Sequence, residues 1–286
     1  MFKLLITDKR YQWFNALLIA VSAALLCKET FIVSRLSYLQ WGVYLVVFTT
    51  TFFAYLNLSF ENNFANAFFN LLRKIRQNPI NSFVISAAGF ALLILFFVHT
   101  FQSVLICVSA ALLSLIYFEA GLFSKYISIR KIYFAKTFLL AFIWSLVTVS
   151  LPVSFAGGNN LSLLAFFVFA RRFLFIAALS IPFDIRDSEK DKVLGYRNFV
   201  NLIGIKKSKM LSLLLLGLFI ITGMLQYKIS LVDASIIVAM CASGIISAIL
   251  IILYNGENKG SPVILFLTDA MLMVQFFLII AAKALF

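Results

Sequence analysis

Residues 161–191 read LSLLAFFVFARRFLFIAALSIPFDIRDSEKD, an apolar run from Leu161 to Ile181 that passes directly into an acidic cluster. The run contains two arginines, yet it is long enough to cross a membrane as a helix, which takes about 20 residues. The cluster, residues 183–191, holds four of the 11 Asp and Glu residues in the whole chain of 286. The stretch therefore predicts a membrane helix that ends in a functional acidic segment.

The composition of the whole chain agrees with a membrane location. Hydrophobic residues make up 63% of the chain and charged residues 12%, and the mean hydropathy is +1.03. An aqueous domain of this length would need far more charge to cover its surface. The net charge of +13 would suggest nucleic acid in a soluble protein, but cytoplasmic links of membrane proteins accumulate Lys and Arg. We therefore expect an integral membrane protein with no nucleic-acid partner.

Repeated apolar runs predict the fold class, an all-α polytopic membrane protein with nine transmembrane helices. The predicted spans are roughly 11–28, 41–59, 83–99, 101–118, 134–152, 161–181, 209–226, 231–253 and 262–283. The first is expected to be a retained helix and not a signal peptide, because no small-residue cleavage site follows it. Residues 1–286 form a single predicted domain, with two pseudo-repeats of about four helices, roughly 1–118 and 119–253, and a last helix.

The distribution of basic residues predicts the orientation. Most of the 24 Lys and Arg residues fall in links on the side of the N-terminus, and the opposite side has only Lys28, Arg35, Lys228 and Lys283. Because cytoplasmic links carry the excess of positive charge, the N-terminus is predicted to be cytoplasmic. The two longest predicted links, about 60–82 and 182–208, are then cytoplasmic too. The protein is expected in a bacterial inner membrane, with its site facing the cytoplasm.

The acidic cluster offers the clearest chemistry. Asp184, Asp187 and Asp191 are spaced i, i+3, i+7, so a helix brings them to one face. Three carboxylates on one face repel each other unless a cation lies between them, and Mg²⁺ prefers oxygen ligands that a bound phosphate completes. The alternative is a solvated helix whose charges are balanced by Arg186 and Lys190. The first interpretation predicts a magnesium site for a phosphorylated substrate.

Three further charged residues have two interpretations each. Arg171 and Arg172 lie within a span, where charges are costly and face a cavity or a partner. Either one of them lines a cavity or pairs with a buried acid, or the span is shifted and both lie nearer the surface. Lys136 either extends to the membrane surface or contacts a diphosphate. Aromatic residues of the same region that are candidates for the wall of an apolar tunnel are Tyr133, Phe138 and Trp144.

The motif D-I-R-D-x-x-x-D-x-x-x-G at residues 184–195, with Gly204 nine residues further on, resembles the second Asp-rich motif of the UbiA family of membrane prenyltransferases. Its place after the sixth of nine helices also resembles that family. The resemblance implies an all-helical fold around a central cavity. It further implies Mg²⁺-dependent transfer of a prenyl group from an isoprenoid diphosphate to a lipophilic acceptor, aromatic, quinone-type or similar.

The first motif of the family, N-D-x-x-D-x-x-x-D, matches residues 57–65 only in part. Asn57 is kept, Leu58 and Ala65 replace the first and third Asp, and Glu61 replaces the second. This departure keeps a different class open, a non-catalytic protein of the same scaffold that binds or transports lipids or isoprenoids.

The resemblance assigns roles to named residues. It implies Asp187 and Asp191 as Mg²⁺ ligands, with Asp184 as a third ligand or a support for them. Asn57 and Glu61 would form the opposing side of the catalytic site, and Glu61 could also ligate the metal. The implied diphosphate contacts are Arg73, Arg76, Lys131 and Arg197. The expected partners are a prenyl diphosphate, a lipophilic acceptor and membrane lipids, with no obligate protein partner.

Overall fold

The computed structural model describes residues 9–36, 41–60, 89, 101–117, 135–193, 198–254 and 262–285. Within these ranges the regular structure is helical and no strand occurs. The α-helices of the described part are α1 Lys9–Val33, α2 Trp41–Phe60, α3 Phe101–Tyr117, α4 Ala135–Ser145, α5 Leu151–Phe155, α6 Leu163–Val193, α7 Phe199–Lys228, α8 Ala234–Leu253 and α9 Pro262–Leu285. A π-helical segment, Leu146–Ser150, joins α4 to α5.

Six helical stretches of the described residues are long and apolar enough to cross a membrane: α1, α4 with α5, α6, α7, α8 and α9. Helices α2 and α3 contribute shorter apolar stretches, Trp41–Tyr55 and Phe101–Ser114. Eight of the nine predicted spans therefore coincide with helices, and the remaining one, 83–99, lies outside the described residues apart from Gly89. The protein is an all-helical integral membrane protein.

The prediction of a long link at 182–208 is wrong. Helix α6 continues through the acidic cluster to Val193, and α7 begins at Phe199. Hydropathy marks where the membrane interior ends, but backbone hydrogen bonding carries a helix on into polar surroundings. Asn198 caps the start of α7, because its side-chain oxygen accepts from the Val200 backbone N–H at 3.0 Å. Gly204 then interrupts the helix with a φ of 82°, a conformation that glycine adopts without strain.

Helix α6 tolerates Pro182 within its length because a neighbour replaces the lost bond. Proline has no N–H, so the carbonyl four residues earlier, that of Ala178, loses its helical partner. The hydroxyl of Ser212 on α7 donates to this carbonyl at 2.7 Å. The bond joins α6 to α7 close to the point where α6 enters the acidic cluster.

The π-helical segment is fastened to α1. The Thr30 hydroxyl donates to the carbonyl of Thr148 at 2.7 Å, and the Cys27 thiol lies 3.7 Å from the carbonyl of Val147. Single π-helical turns are rare, and those that occur are frequently found at functional sites. Helix α1 therefore holds the π-helical segment in place.

Helix α6 lies at the centre of the described bundle and packs along α4 and α7. Phe175 of α6 and Phe219 of α7 are fully buried, with ring centroids 4.8 Å apart. The outward faces of α7 and α8 remain apolar and exposed, as at Leu214, Ile221 and Ile249, which suits contact with lipid chains. The arrangement places the acidic end of α6 beside the starts of α4 and α7.

Candidate functional site

A polar cavity of about 250 Å³ lies at the end of the bundle where α6 becomes acidic. Side chains from α1, α2, α3, α4, α6 and α9 form its wall, so most of the described bundle contributes to it. Its polar and charged members are Asn15, Tyr55, Tyr117, Lys136, Thr137, Ser180, Asp184, Arg186, Asp187, Thr268 and Asp269.

Lys136 connects the first and last aspartates of the cluster. Its ammonium nitrogen lies 3.2 Å from Asp184 Oδ1 and 3.7 Å from Asp191 Oδ2. The other oxygen of Asp184 accepts a hydrogen bond from the Thr137 hydroxyl. Asp184 is buried, whereas about a third of the Lys136 side chain is exposed. The two aspartates share one face of α6, as predicted, but a lysine lies between them and their charges are not unpaired.

The start of α7 also contacts Asp184 and Asp191, the two aspartates that Lys136 connects. The Asn198 amide donates to Asp191 Oδ2 and to the backbone carbonyl of Asp184, each at 2.9 Å. Asn201 donates to the Ser188 carbonyl at 2.8 Å. Asn198 thus caps α7 and positions Asp191 together, so the turn between α6 and α7 is part of the site.

Asp187 is paired with its neighbour in sequence. Arg186 binds it through two hydrogen bonds, Nε to Oδ1 at 2.8 Å and Nη2 to Oδ2 at 3.0 Å. The Arg186 guanidinium also lies over the ring of Phe183, 5.3 Å from its centroid. At the end of α8, burial raises the pKa of Tyr254, and the nearby Arg186 charge partly offsets that rise. Both members of the ion pair line the polar cavity.

Asp269 brings a further carboxylate to the cavity from α9, and sequence reasoning did not find it. The positive charge that acts on it is that of Arg186. The signal was present in the sequence, because Asp269 is an isolated acid inside the predicted span 262–283, and such residues commonly mark a cavity or a partner. Its helix lies far from the acidic cluster in sequence, so only the packing of α9 reveals the proximity.

An apolar cavity of about 230 Å³ adjoins the polar one. The two share the side chains of Tyr55, Tyr117, Leu140 and Trp144. The rings of Tyr55 and Trp144 meet edge to face at this junction, with centroids 6.4 Å apart. Further from the junction, the wall is formed by one face each of α2, α3 and the stretch from α4 to α5, with one residue of α1. These lining residues are Val46, Val47, Thr50, Thr51, Ala54, Ile106, Cys107, Ala110, Ala111, Ser114, Ile143, Val147, Thr148, Leu151 and Ala23.

A second charged cluster lies about 20 Å along α6 from Asp184, at 1.5 Å per residue. Arg172 makes a bidentate contact with Glu29 of α1: Nη2 lies 3.1 Å from Oε1 and Nη1 lies 3.2 Å from Oε2. Arg171 lies 3.6 Å from the same carboxylate and donates to Gln226 of α7 at 2.9 Å. Gln275 of α9 donates to Glu29 at 3.1 Å. All five side chains are buried, so the prediction that one arginine pairs with a buried acid is confirmed, and in fact both do.

The other sequence predictions divide between described and undescribed parts of the chain. Trp144 lines both cavities, whereas Phe138 stacks on Phe173 at 5.9 Å and belongs to neither lining. Lys136 is a member of the site, so its interpretation as a residue that only extends to the membrane surface is wrong. The predicted site residues that lie outside the described ranges are Glu61, Arg73, Arg76, Lys131 and Arg197, together with the side chain of Asn57 and with Tyr133.

The donor set of the polar cavity suits Mg²⁺ in type but not in number. Among the described residues, no three Asp, Glu, His or Cys side chains converge on one position that a metal ion would occupy. Lys136 fills the space between Asp184 and Asp191. Mg²⁺ is commonly held by one or two protein carboxylates and completed by phosphate oxygens and water. The fit therefore requires phosphate oxygens from a substrate to complete the coordination.

Comparison with known proteins gives the fold. No protein-family model matches the chain, and no curated protein matches its sequence. The structure is similar to one solved in a study of digeranylgeranylglyceryl phosphate synthase in membranes, with a TM-score of 0.58 and 17% identity over 96% of this chain and 98% of that one. It is also similar to the apo structure of a UbiA homolog from Aeropyrum pernix K1, with a TM-score of 0.51 and 15% identity over 93% of this chain and 97% of that one. The chain has a UbiA-like fold.

Proposed function

We propose that this UbiA-like membrane protein transfers a prenyl group from an isoprenoid diphosphate to a lipophilic acceptor, aromatic, quinone-type or similar. The observation that carries the proposal is the pair of adjoining cavities, one charged and one apolar, that meet at Tyr55 and Trp144. A ligand that fits both must have a charged head and an apolar chain. The similarity of fold to a digeranylgeranylglyceryl phosphate synthase supports the same class of ligand.

The charged cavity would bind the diphosphate. Lys136 and Arg186 line it, and each already contacts a carboxylate, so their positions are fixed before the ligand arrives. Fixed cations stabilise the negative charge that develops on a departing diphosphate. From the sequence we propose Arg73, Arg76, Lys131 and Arg197 as additional diphosphate contacts.

We propose Mg²⁺ as the cofactor, with Asp187 and Asp191 as its ligands and with Asp184, Glu61 and Asn57 in supporting positions. When bound, the ion would neutralise phosphate oxygens and make the diphosphate a better leaving group. Thr137 and Asn198 hold the oxygens of Asp184 and Asp191 in place. Of the three aspartates, Asp184 and Asp187 line the cavity, and Lys136 connects Asp191 to Asp184.

The reacting carbon of the prenyl group would lie at the junction of the two cavities. The bond between this carbon and the diphosphate oxygen breaks, and its electron pair leaves with the diphosphate. The acceptor forms the new bond to the same carbon and releases a proton. The aromatic rings of Tyr55 and Trp144 exclude water there, and aromatic faces attract the positive charge of an allylic cation.

The test uses purified protein in lipid nanodiscs with farnesyl diphosphate, Mg²⁺ and a quinone-type aromatic acceptor. We expect release of diphosphate and a prenylated acceptor detectable by mass spectrometry. Replacing Asp187 with Ala should abolish turnover without unfolding the protein, because Asp187 lies at the cavity surface and is partly exposed. Turnover at the wild-type rate in that variant would remove the acidic cluster from the mechanism.

A second candidate is a non-catalytic protein that binds or transports isoprenoids. It is favoured by Leu58 and Ala65, which stand where the family motif has Asp, and by the insertion of Lys136 between Asp184 and Asp191. Such a protein would bind prenyl diphosphate but would release no diphosphate, whichever acceptor is offered. Measurement of binding and release on one sample distinguishes the two functions.

We also propose that the polar cavity faces the cytoplasm of a bacterial cell. The excess of Lys and Arg in links on that side supports this orientation. Labelling of a cysteine placed at Glu189, an exposed residue of the acidic cluster, by a membrane-impermeant reagent should occur in inside-out vesicles and not in intact cells.

A further inference from the structure

We propose that the apolar cavity limits the prenyl chain to about three isoprene units, a farnesyl-sized chain, and that Val47 and Leu151 form the floor that sets this limit. The inference rests on the proposed function, because it assigns the substrate of that same site. It depends on the length of the cavity and on what closes its far end.

The length of the cavity follows from the helices that line it. Helix α2 lines it from Tyr55 to Val46; these two residues are nine positions apart, which is about 14 Å of helix. The stretch that begins in α4 lines it from Leu140 to Leu151; these are 11 positions apart, which is about 16 Å. In both cases the first residue lies at the junction with the polar cavity, and the last lies at the opposite end.

The length of the ligand follows from bond geometry. A fully extended peptide covers about 3.5 Å over the three main-chain bonds of a residue, or about 1.2 Å for each bond. An isoprene unit has four main-chain bonds and so spans about 5 Å when extended. A cavity of about 14 to 16 Å therefore holds about three units beyond the junction where the diphosphate begins.

Among the described residues, the side chains at the far end of the cavity are tightly packed. Val47 is fully buried, and Ala23 and Leu151 are 1% and 3% exposed. Leu151 follows directly on the π-helical segment, whose carbonyls are held by Thr30 and Cys27 of α1. The segment that carries Leu151 is therefore attached to α1 as well as to its own helix.

Two positions change the length of the cavity in opposite directions. Leu151→Ala removes part of the floor and should lengthen the space. Thr50→Phe should fill it about midway, because Thr50 lies five residues from Tyr55 on the face of α2 that lines the cavity. Val153→Ala is the matched control, because Val153 is also buried and lies two residues from Leu151 but does not line the cavity.

The experiment measures dissociation constants of geranyl, farnesyl and geranylgeranyl thiodiphosphates, which resist ionisation, for the four proteins in the same nanodiscs. The wild type should bind the farnesyl compound most tightly, by about tenfold over the geranylgeranyl compound, since a pocket that rejects an extra apolar group discriminates by about this factor or more. Leu151→Ala should move the preference to geranylgeranyl, and Thr50→Phe should move it to geranyl. Val153→Ala should keep the wild-type order.

Two outcomes would overturn the inference. One is a wild-type affinity that keeps rising to the geranylgeranyl chain. The other is a preference that stays unchanged in both Leu151→Ala and Thr50→Phe, which would show that the chain leaves the cavity by another route. Failure of every thiodiphosphate to bind the wild type would instead refute the proposed function, so the two failures are distinguishable.

Discussion

Two charged clusters lie on the same helix, α6, and they differ in what surrounds them. At Asp184 and Asp187 the carboxylates are paired with Lys136 and Arg186, yet all four side chains border a cavity. At Arg171 and Arg172 the charges are enclosed by Glu29, Gln226 and Gln275, with every side chain buried. Charges enclosed by protein partners join helices together, whereas charges that border a cavity are able to bind a ligand.

The largest effect should come from removing the one carboxylate of the buried cluster. Glu29→Ala leaves two buried guanidinium groups without their counter-ion, and breaking a buried ion pair costs about 3 to 5 kcal/mol of stability. We expect a large loss of thermal stability in detergent, or no folded protein. Replacing Glu29, Arg171 and Arg172 together with Leu or Met should recover much of that loss, because apolar residues of similar size can replace buried ion pairs. If Glu29→Ala had wild-type stability, the buried cluster would not be an anchor.

The next effect should be mainly on activity, with only a small effect on stability. Asp187→Asn keeps the shape of the side chain and removes its charge at the cavity surface. We expect turnover to fall about 100-fold to 1,000-fold, the range for loss of one electrostatic contact at a reacting centre. The unfolding free energy should fall by about 1 kcal/mol at most, the upper end for a partly exposed ion pair. A stability loss as large as that of Glu29→Ala would erase the distinction between the two clusters.

Asn198→Ala should have an intermediate effect, on stability and on activity together. It removes the cap of α7 and two hydrogen bonds to the acidic cluster. Loss of an N-cap costs about 1 kcal/mol, and turnover should fall as well because Asp191 loses its support. Asn198→Asp serves as a second variant, since Asp also caps helices but cannot donate to Asp191 and places a like charge beside it. We expect it to recover the contribution of the cap to stability at most, and no activity.

The smallest effect should come from the exposed ion pair between Arg35 and Asp233. The two groups are 2.7 Å apart, but their side chains are 64% and 49% exposed. Surface ion pairs contribute about 0 to 1 kcal/mol. Arg35→Ala should therefore shift the melting temperature little. A large shift would show that this ion pair contributes more to stability than its exposure indicates.

Hydropathy predicted the membrane helices well because each must be apolar over about the same length to cross the lipid. It misplaced the boundaries at Ile181 and at Lys209, since a helix does not end where its apolar residues end. The acidic cluster was predictable from its spacing, and its three aspartates do lie beside the cavity or its partners. The pairing of Asp187 with Arg186 agrees with one of the two interpretations of the sequence. The pairing of Asp184 and Asp191 was not predictable, because Lys136 and Asn198 approach from other helices.

The sequence by itself determined that the chain crosses a membrane as helices and carries an acidic segment at the end of one of them. Both follow from local patterns, apolar length and the i, i+3, i+7 spacing, which involve neighbouring residues only. Only the tertiary structure decided that Glu29 joins both arginines, that Lys136 lies between two aspartates and that Asp269 enters the same cavity. These contacts link residues far apart in the chain, and their positions depend on how the helices pack.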